Sequence, residues 1–221
     1  MKHLTITTLA VAAALLASGH ADAQNPDHAG HAAGGSPPAN AATVTGVWTP
    51  AAHIAIPANS VYQVPTPLTD AAGQRFVLKD LAGAPLLVTM FYGDCHSACP
   101  VVIETLKRTV TALGPDGKRL RILMISLDPK RDTPKSLGMM ADMQKLDPAQ
   151  YRLAVAANDS DTRLLAAALD IRYRPLDNGE ISHTTRIALL NADGSVRAES
   201  TGLSVEPDAQ LVRQITIALK R

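Results

Sequence analysis

The feature that most narrows what this chain can become is the apolar run Pro85-Leu-Leu-Val-Thr-Met-Phe91, which leads directly into its only two cysteines, Cys95 and Cys99. A run this short and this apolar reads as a strand buried on both faces, and such a strand needs cover on each. The residues after it, Tyr92-Gly-Asp-Cys-His-Ser-Ala-Cys-Pro100, mark the passage from that strand into a helix. On a helix turning about 100° per residue, a spacing of four sets both sulfurs within roughly 40° on one face. Two thiols held so can close a disulfide, share a metal ion, or alternate between the two states. Cys95 sits at the passage itself, where unpaired N–H groups and the helix dipole favour a thiolate.

Strand and helix patterns alternate through the rest of the chain. Val61–Val64 and Arg75–Leu78 read as strands of an N-terminal hairpin around the turn Asp70-Ala-Ala-Gly73. A helix from about Cys99 to Leu113 stops at Gly114-Pro-Asp-Gly117, and an apolar strand follows at Arg121–Leu127. Thr133-Pro134 opens a helix to about Leu146, threonine as N-cap and proline as first helical residue. Next come a strand at Tyr151–Ala156 and an alanine-rich helix at Ser160–Leu169. A late β-hairpin pairs Thr185–Leu190 with Ser195–Glu199 around Asn191-Ala-Asp-Gly194, and a helix from about Glu206 to Leu219 closes the order. The pattern predicts an α/β fold with a central mixed sheet flanked by helices on both faces. Residues 60–221 suffice to bury such a core without covalent staples.

Lys2 and His3 precede the mostly apolar stretch Leu4–Ala17, and Ala21-Asp-Ala23 offers a small-x-small cleavage site, so residues 1–23 read as a secretory signal peptide. The stretch is shorter than the roughly 20 residues that span a bilayer, and an uncleaved membrane anchor is the competing reading. An exported, periplasmic protein is expected. Residues 24–59, rich in Ala, Gly, Pro, Asn and His, read as a flexible arm. His28 and His31 lie in it, and a solvated linker is favoured over metal capture because ordering flexible imidazoles costs entropy. The formal charge of +1 survives removal of residues 1–23, which takes Lys2 and Asp22 together. That balance points neither to nucleic acid nor to an anionic membrane surface. In an oxidising compartment two cysteines usually make one structural disulfide. A staple gains most across a long loop, however, and this pair encloses three residues, so stability explains it poorly.

Three landmarks resemble the Sco/SenC family, thioredoxin-fold proteins that deliver copper during assembly of cytochrome c oxidase. The first is CxxxCP after an apolar strand, here Cys95, Cys99 and Pro100. The second is a Ser-x-Asp-Pro-x-x-Asp-Thr-Pro signature, here Ser126, Asp128, Pro129, Asp132, Thr133 and Pro134. The third is a histidine ahead of a late hairpin, here His183. The resemblance covers about residues 60–221 and implies a thioredoxin-like fold, a copper site made by Cys95, Cys99 and His183, and a copper-accepting oxidase subunit or another envelope copper or thiol protein as partner. Two departures stand out. His96 and Ser97 replace the usual proline and aspartate between the cysteines, and Ser182 replaces the aspartate before the histidine.

Soft thiolates select Cu(I), while imidazole suits either oxidation state of copper. Zinc accepts the same ligand set with water as a fourth partner, and the resemblance, not ligand chemistry, decides for copper. His96 stabilises the Cys95 thiolate, offers a fourth ligand, or faces solvent, and Asp94 opposes a thiolate. Asp128 and Asp132 orient the histidine loop or, as favoured, build a turn and cap the next helix. Met139, Met140 and Met143 lie at helical spacing that favours packing over ligation, and Trp48 carries no chemical signal. The alternative to a copper chaperone is a thiol–disulfide oxidoreductase with Cys95 and Cys99 as its redox pair, although such enzymes usually carry CxxC.

Overall fold

The computed structural model describes residues 48, 54–95 and 98–220. The expected signal peptide, most of the arm with His28 and His31, and the pair His96-Ser97 lie outside the described residues. In chain order the strands are β1 (Leu68–Asp70), β2 (Arg75–Phe76), β3 (Leu86–Phe91), β4 (Arg121–Ser126), β5 (Tyr151–Ala156), β6 (Tyr173–Pro175), β7 (Ile181–His183), β8 (Ile187–Leu190) and β9 (Val196–Ser200). The helices are α1 (Ala98–Ala112), α2 (Pro134–Met143), α3 (Asp159–Ala168) and α4 (Ala209–Leu219).

Seven strands form one mixed sheet in the order β2-β1-β5-β4-β3-β8-β9, with β6 and β7 apart as a two-stranded ribbon. Strands β3, β4 and β5 run parallel, and β1 and β8 join them antiparallel. Every residue of β3 and β4 is buried, as a strand covered on both faces requires. This register places the candidate site. Phe91 faces Ser126 across β3 and β4, so the loops leaving these strands start side by side. Thr89 faces Ile187 across β3 and β8, so the chain entering β8 runs past the residues that leave β3. The Thr89 hydroxyl donates to the Arg186 carbonyl at 2.7 Å and pins that crossing. Cys95, Asp128, Asp132 and His183 thus gather beyond the carboxyl ends of the parallel strands, where open α/β sheets commonly place sites.

The structure departs from expectation where side-chain hydrogen bonds overrule apolar pattern. Val61–Gln63 is a 3₁₀ turn instead of a strand, because Ser60 accepts from the Tyr62 N–H and the Val61 N–H donates to the Gly194 carbonyl. The N-terminal hairpin therefore pairs Leu68–Asp70 with Arg75–Phe76, and Leu78–Leu81 winds into a second 3₁₀ turn. Helix α2 ends at Met143, three residues early, because Lys145 takes a left-handed φ of 53°. Helix α4 starts late, at Ala209, because the Asp208 carboxylate accepts from the N–H groups of Gln210 and Leu211. The β6–β7 ribbon was not expected, and it carries His183. Trp48 is buried with the guanidinium groups of Arg121 and Arg152 at 5.8 and 5.7 Å from its ring, at the starting ends of β4 and β5 and away from the cysteines.

Gly194 closes the Asn191-Ala-Asp-Gly turn at φ +78°, and a Cβ there would collide with the Ser60 hydroxyl and the Tyr62 ring. Gly194→Ala is expected to destabilise the fold by about 2 kcal/mol or more, read as a lowered urea midpoint with an unchanged slope.

Candidate metal centre

Cys95 lies just before α1, and Cys99 is the helix's second residue. The cysteines therefore do not share a helix face as the spacing alone suggests. They meet because the loop turns back: the Cys95 N–H donates to the Tyr92 carbonyl at 3.3 Å, and the Cys99 N–H donates to the Cys95 sulfur at 3.3 Å. Both side chains are buried. Asp132 holds the start of this loop. Its carboxylate accepts from the Gly93 N–H at 2.9 Å and from the Ser126 hydroxyl. Gly93 is needed there, since a Cβ would strike that carboxylate.

His183 arrives from the other side, on β7. Its Nδ1–H donates to the Thr184 carbonyl at 3.2 Å, which fixes the tautomer and leaves the Nε2 lone pair available. Nε2 is buried and has no hydrogen-bond partner among the described residues. The ring packs edge-on against Tyr92, with centroids 6.1 Å apart at 82°. The ligand atoms of Cys95, Cys99 and His183 all lie within 4.8 Å of one another. Two sulfurs and one unpartnered imidazole nitrogen form a donor set that fits a thiophilic cation, and a buried polar atom left unsatisfied needs such a partner.

The two aspartates divide the work: Asp128 closes the turn before α2 and reaches the histidine ribbon through Arg131, whereas the cap of α2 belongs to Thr133. Thr133 caps α2 with its hydroxyl on the Ser136 N–H, and Pro134 is the first helical residue. Asp132 anchors the cysteine loop, and Asp128 binds Arg131, whose Nη2 donates to the Gly179 carbonyl beside β7 at 2.7 Å. Met140 packs against the core, while Met139 and Met143 stand on the outer face of α2, 63% and 75% exposed. Ser182 is exposed on β7. Tyr92, against the His183 ring, and Arg131 are site residues that sequence reasoning missed, and for Tyr92 there was one faint signal. Its position directly after the apolar strand was the one available signal, and an aromatic there reads as core.

The family model for SCO1/SenC matches residues 57–219. The chain belongs to the SCO1/SenC family. The Sco fold of Bradyrhizobium japonicum ScoI with copper bound superposes at a TM-score of 0.56 and 24% identity, covering 71% of this chain and 96% of that one. BsSco, a Sco family cytochrome c oxidase assembly protein with an identified disulfide switch, superposes at 0.63 and 20% identity, covering 76% and 98%. At such identities these likenesses establish the thioredoxin-like Sco fold, with its central mixed sheet flanked by helices. A Stutzerimonas stutzeri relative named for copper binding is 27% identical over 138 residues, which is 59% of this chain. The match spans 64% of that relative, under two thirds of its length.

In this Sco chain burial governs the protonation of the site. It pushes the Cys99 thiol well above its ordinary range, and the hydrogen bond with Cys95 pushes the same way. At Cys99 desolvation therefore outweighs the helix N-terminus, and the sulfur is a neutral thiol until a cation displaces its proton. Burial also raises Asp132, against the hydrogen bonds from Ser126 and Gly93, and raises the Tyr92 phenol. The same effect lowers His183 below 6.5, keeping the imidazole neutral and its lone pair open at neutral pH.

The sign of that last shift gives a test. A base lowered by folding contributes stability that is complete above its unfolded value near 6.5 and is lost as pH falls through the folded value. In metal-free protein the His183 ring is expected to titrate below 6.5 by NMR, with Tm falling over the same interval. A midpoint at or above 6.5 would contradict the buried, neutral imidazole.

Proposed function

We propose that this chain is an exported copper-binding protein that takes up one copper ion through Cys95, Cys99 and His183 and passes it to a copper site of a respiratory oxidase. The observation that carries the reading is the convergence of two buried thiols and an unpartnered imidazole nitrogen within 4.8 Å. Bound copper is the cargo, held by soft sulfur as Cu(I) and tolerated by imidazole in either oxidation state. The chain's own part is to present the ligands. Thr184 fixes the histidine tautomer, Asp132 fixes the loop ahead of Cys95, and Cys99 yields its proton on loading. Affinity should therefore rise with pH. Family membership supports delivery to an oxidase, and the signal-like N-terminus supports export to the periplasm. Among the described residues no helix is long and apolar enough to cross a membrane.

Cys95→Ser is expected to abolish tight Cu(I) binding, and His183→Ala to weaken binding and alter the Cu(II) spectrum. A double cysteine variant that binds copper like the wild type would place the site elsewhere, with His28 and His31 the first suspects. Zinc competition in the same titration separates a copper site from a zinc site. N-terminal sequencing of native protein is expected to begin near Gln24, and retention of residues 1–23 would make the chain membrane-anchored.

The proximity of the sulfurs favours a second activity at the same residues. Cys95 and Cys99 can reduce a disulfide of a copper-accepting partner, forming their own S–S bond as two electrons and two protons pass to the partner's sulfurs. Oxidation consumes both thiols, so copper loading and the disulfide exclude each other.

A further inference from the structure

We infer that Arg131 is a positioning residue that locks the His183 ribbon to the buried turn after β4 and so decides how firmly the imidazole, and with it Cu(II), is held. The inference rests on the copper reading above. Arg131 lies in the turn after β4, between the buried carboxylates of Asp128 and Asp132. Its own backbone is fixed there, the N–H donating to the carbonyl and the carboxylate of Asp128, each at 3.3 Å. The guanidinium then divides among three partners. Nε donates to Asp128, Nη1 to Asp94 at 3.5 Å, and Nη2 to the Gly179 carbonyl at 2.7 Å.

Those partners are the three pieces that build the site. Asp128 belongs to the rigid end of the sheet, Asp94 adjoins Cys95, and Gly179 sits in the turn that joins β6 to β7, four residues before His183. Gly179 takes φ +83°, and its turn is closed by its N–H on the Leu176 carbonyl and by the Leu176 N–H on the Glu180 carbonyl. The ribbon is not part of the main sheet, and a two-stranded ribbon is marginal by itself. It therefore depends on its tethers.

The contacts are unequal. The Asp94 contact is long and joins exposed side chains, so it contributes little. The Asp128 partner is mostly buried, and the bond to Gly179 is charge-assisted. The tether runs from β4 through Asp128 and Arg131 to Gly179. Only a fork of separate donors can make these contacts together, and lysine cannot. Thiolates alone retain Cu(I), whereas Cu(II) relies more on the imidazole, so loosening the ribbon separates the two oxidation states.

The test compares Arg131→Met and Arg131→Lys with the wild type and with Cys95→Ser. In metal-free Arg131→Met, amide hydrogen exchange across residues 173–183 is expected to quicken while that of β3 and β4 is unchanged. Loaded with copper, the variant is expected to lose about ten- to a hundredfold in Cu(II) affinity, with weakened nitrogen coupling in its paramagnetic resonance spectrum. Its Cu(I) affinity should stay near that of the wild type, and Arg131→Lys should follow Arg131→Met. Wild-type exchange and Cu(II) spectrum in Arg131→Met would overturn the clamp, as would equal losses of Cu(I) and Cu(II). Full rescue by Arg131→Lys would overturn the three-way fork in favour of charge alone. If Cys95→Ser binds copper as the wild type does, the copper reading itself has failed, which is distinguishable from failure of the clamp.

Discussion

The buried carboxylate of Asp132 accepts hydrogen bonds from the Gly93 N–H and the Ser126 hydroxyl, and the rest of the site is built on that bond pair. Ser126 ends β4 and Gly93 follows the end of β3, so one side chain ties together the two loops that leave adjacent parallel strands. A carboxylate taken out of water is costly unless hydrogen bonds replace its hydration, and here one donor ends β4 and the other lies two residues past the end of β3. Gly93 allows the approach because it has no Cβ. With the loop held, Cys95 and Cys99 need no shared helix face: a backbone N–H at the start of α1 reaches back to the first sulfur.

The second constraint is burial, which decides protonation at each ligand whose shift is resolved. It keeps Cys99 a neutral thiol and His183 a neutral imidazole. The two shifts act differently on metal uptake. The neutral imidazole is ready to bind, whereas the thiol must release a proton, so loading couples to pH mainly through sulfur. A buried site with an unpartnered Nε2 is poised for a cation and disfavours ordinary protonation.

Much of the fold was legible because its strongest signals were local. The charge-free run before Cys95 became a fully buried strand, Thr133-Pro134 capped and opened a helix as threonine and proline do, and Asn191-Ala-Asp-Gly194 made its turn. What escaped was decided at long range. The Val61 turn depends on Ser60 and Gly194, far apart in sequence. The β6–β7 ribbon is too short to show period-two alternation, and its turn leans on Arg131 from another element. Of the site, the ligand trio came from the family resemblance together with the cysteine spacing, and the structure brings those atoms together. Tyr92 and Arg131 were invisible, since an aromatic after a strand and an arginine in a turn have commoner explanations. Trp48, read as silent, is buried against two guanidinium groups.

The central claim is that two thiols and one imidazole from separate elements form a single copper site. It is tested most directly by copper X-ray absorption on reduced protein loaded with one equivalent of Cu(I). The account predicts two sulfur donors and one nitrogen donor, with the nitrogen lost in His183→Ala and the sulfurs lost in the double cysteine variant. A spectrum of nitrogen and oxygen donors only, unchanged when Cys95 and Cys99 are replaced, would contradict it.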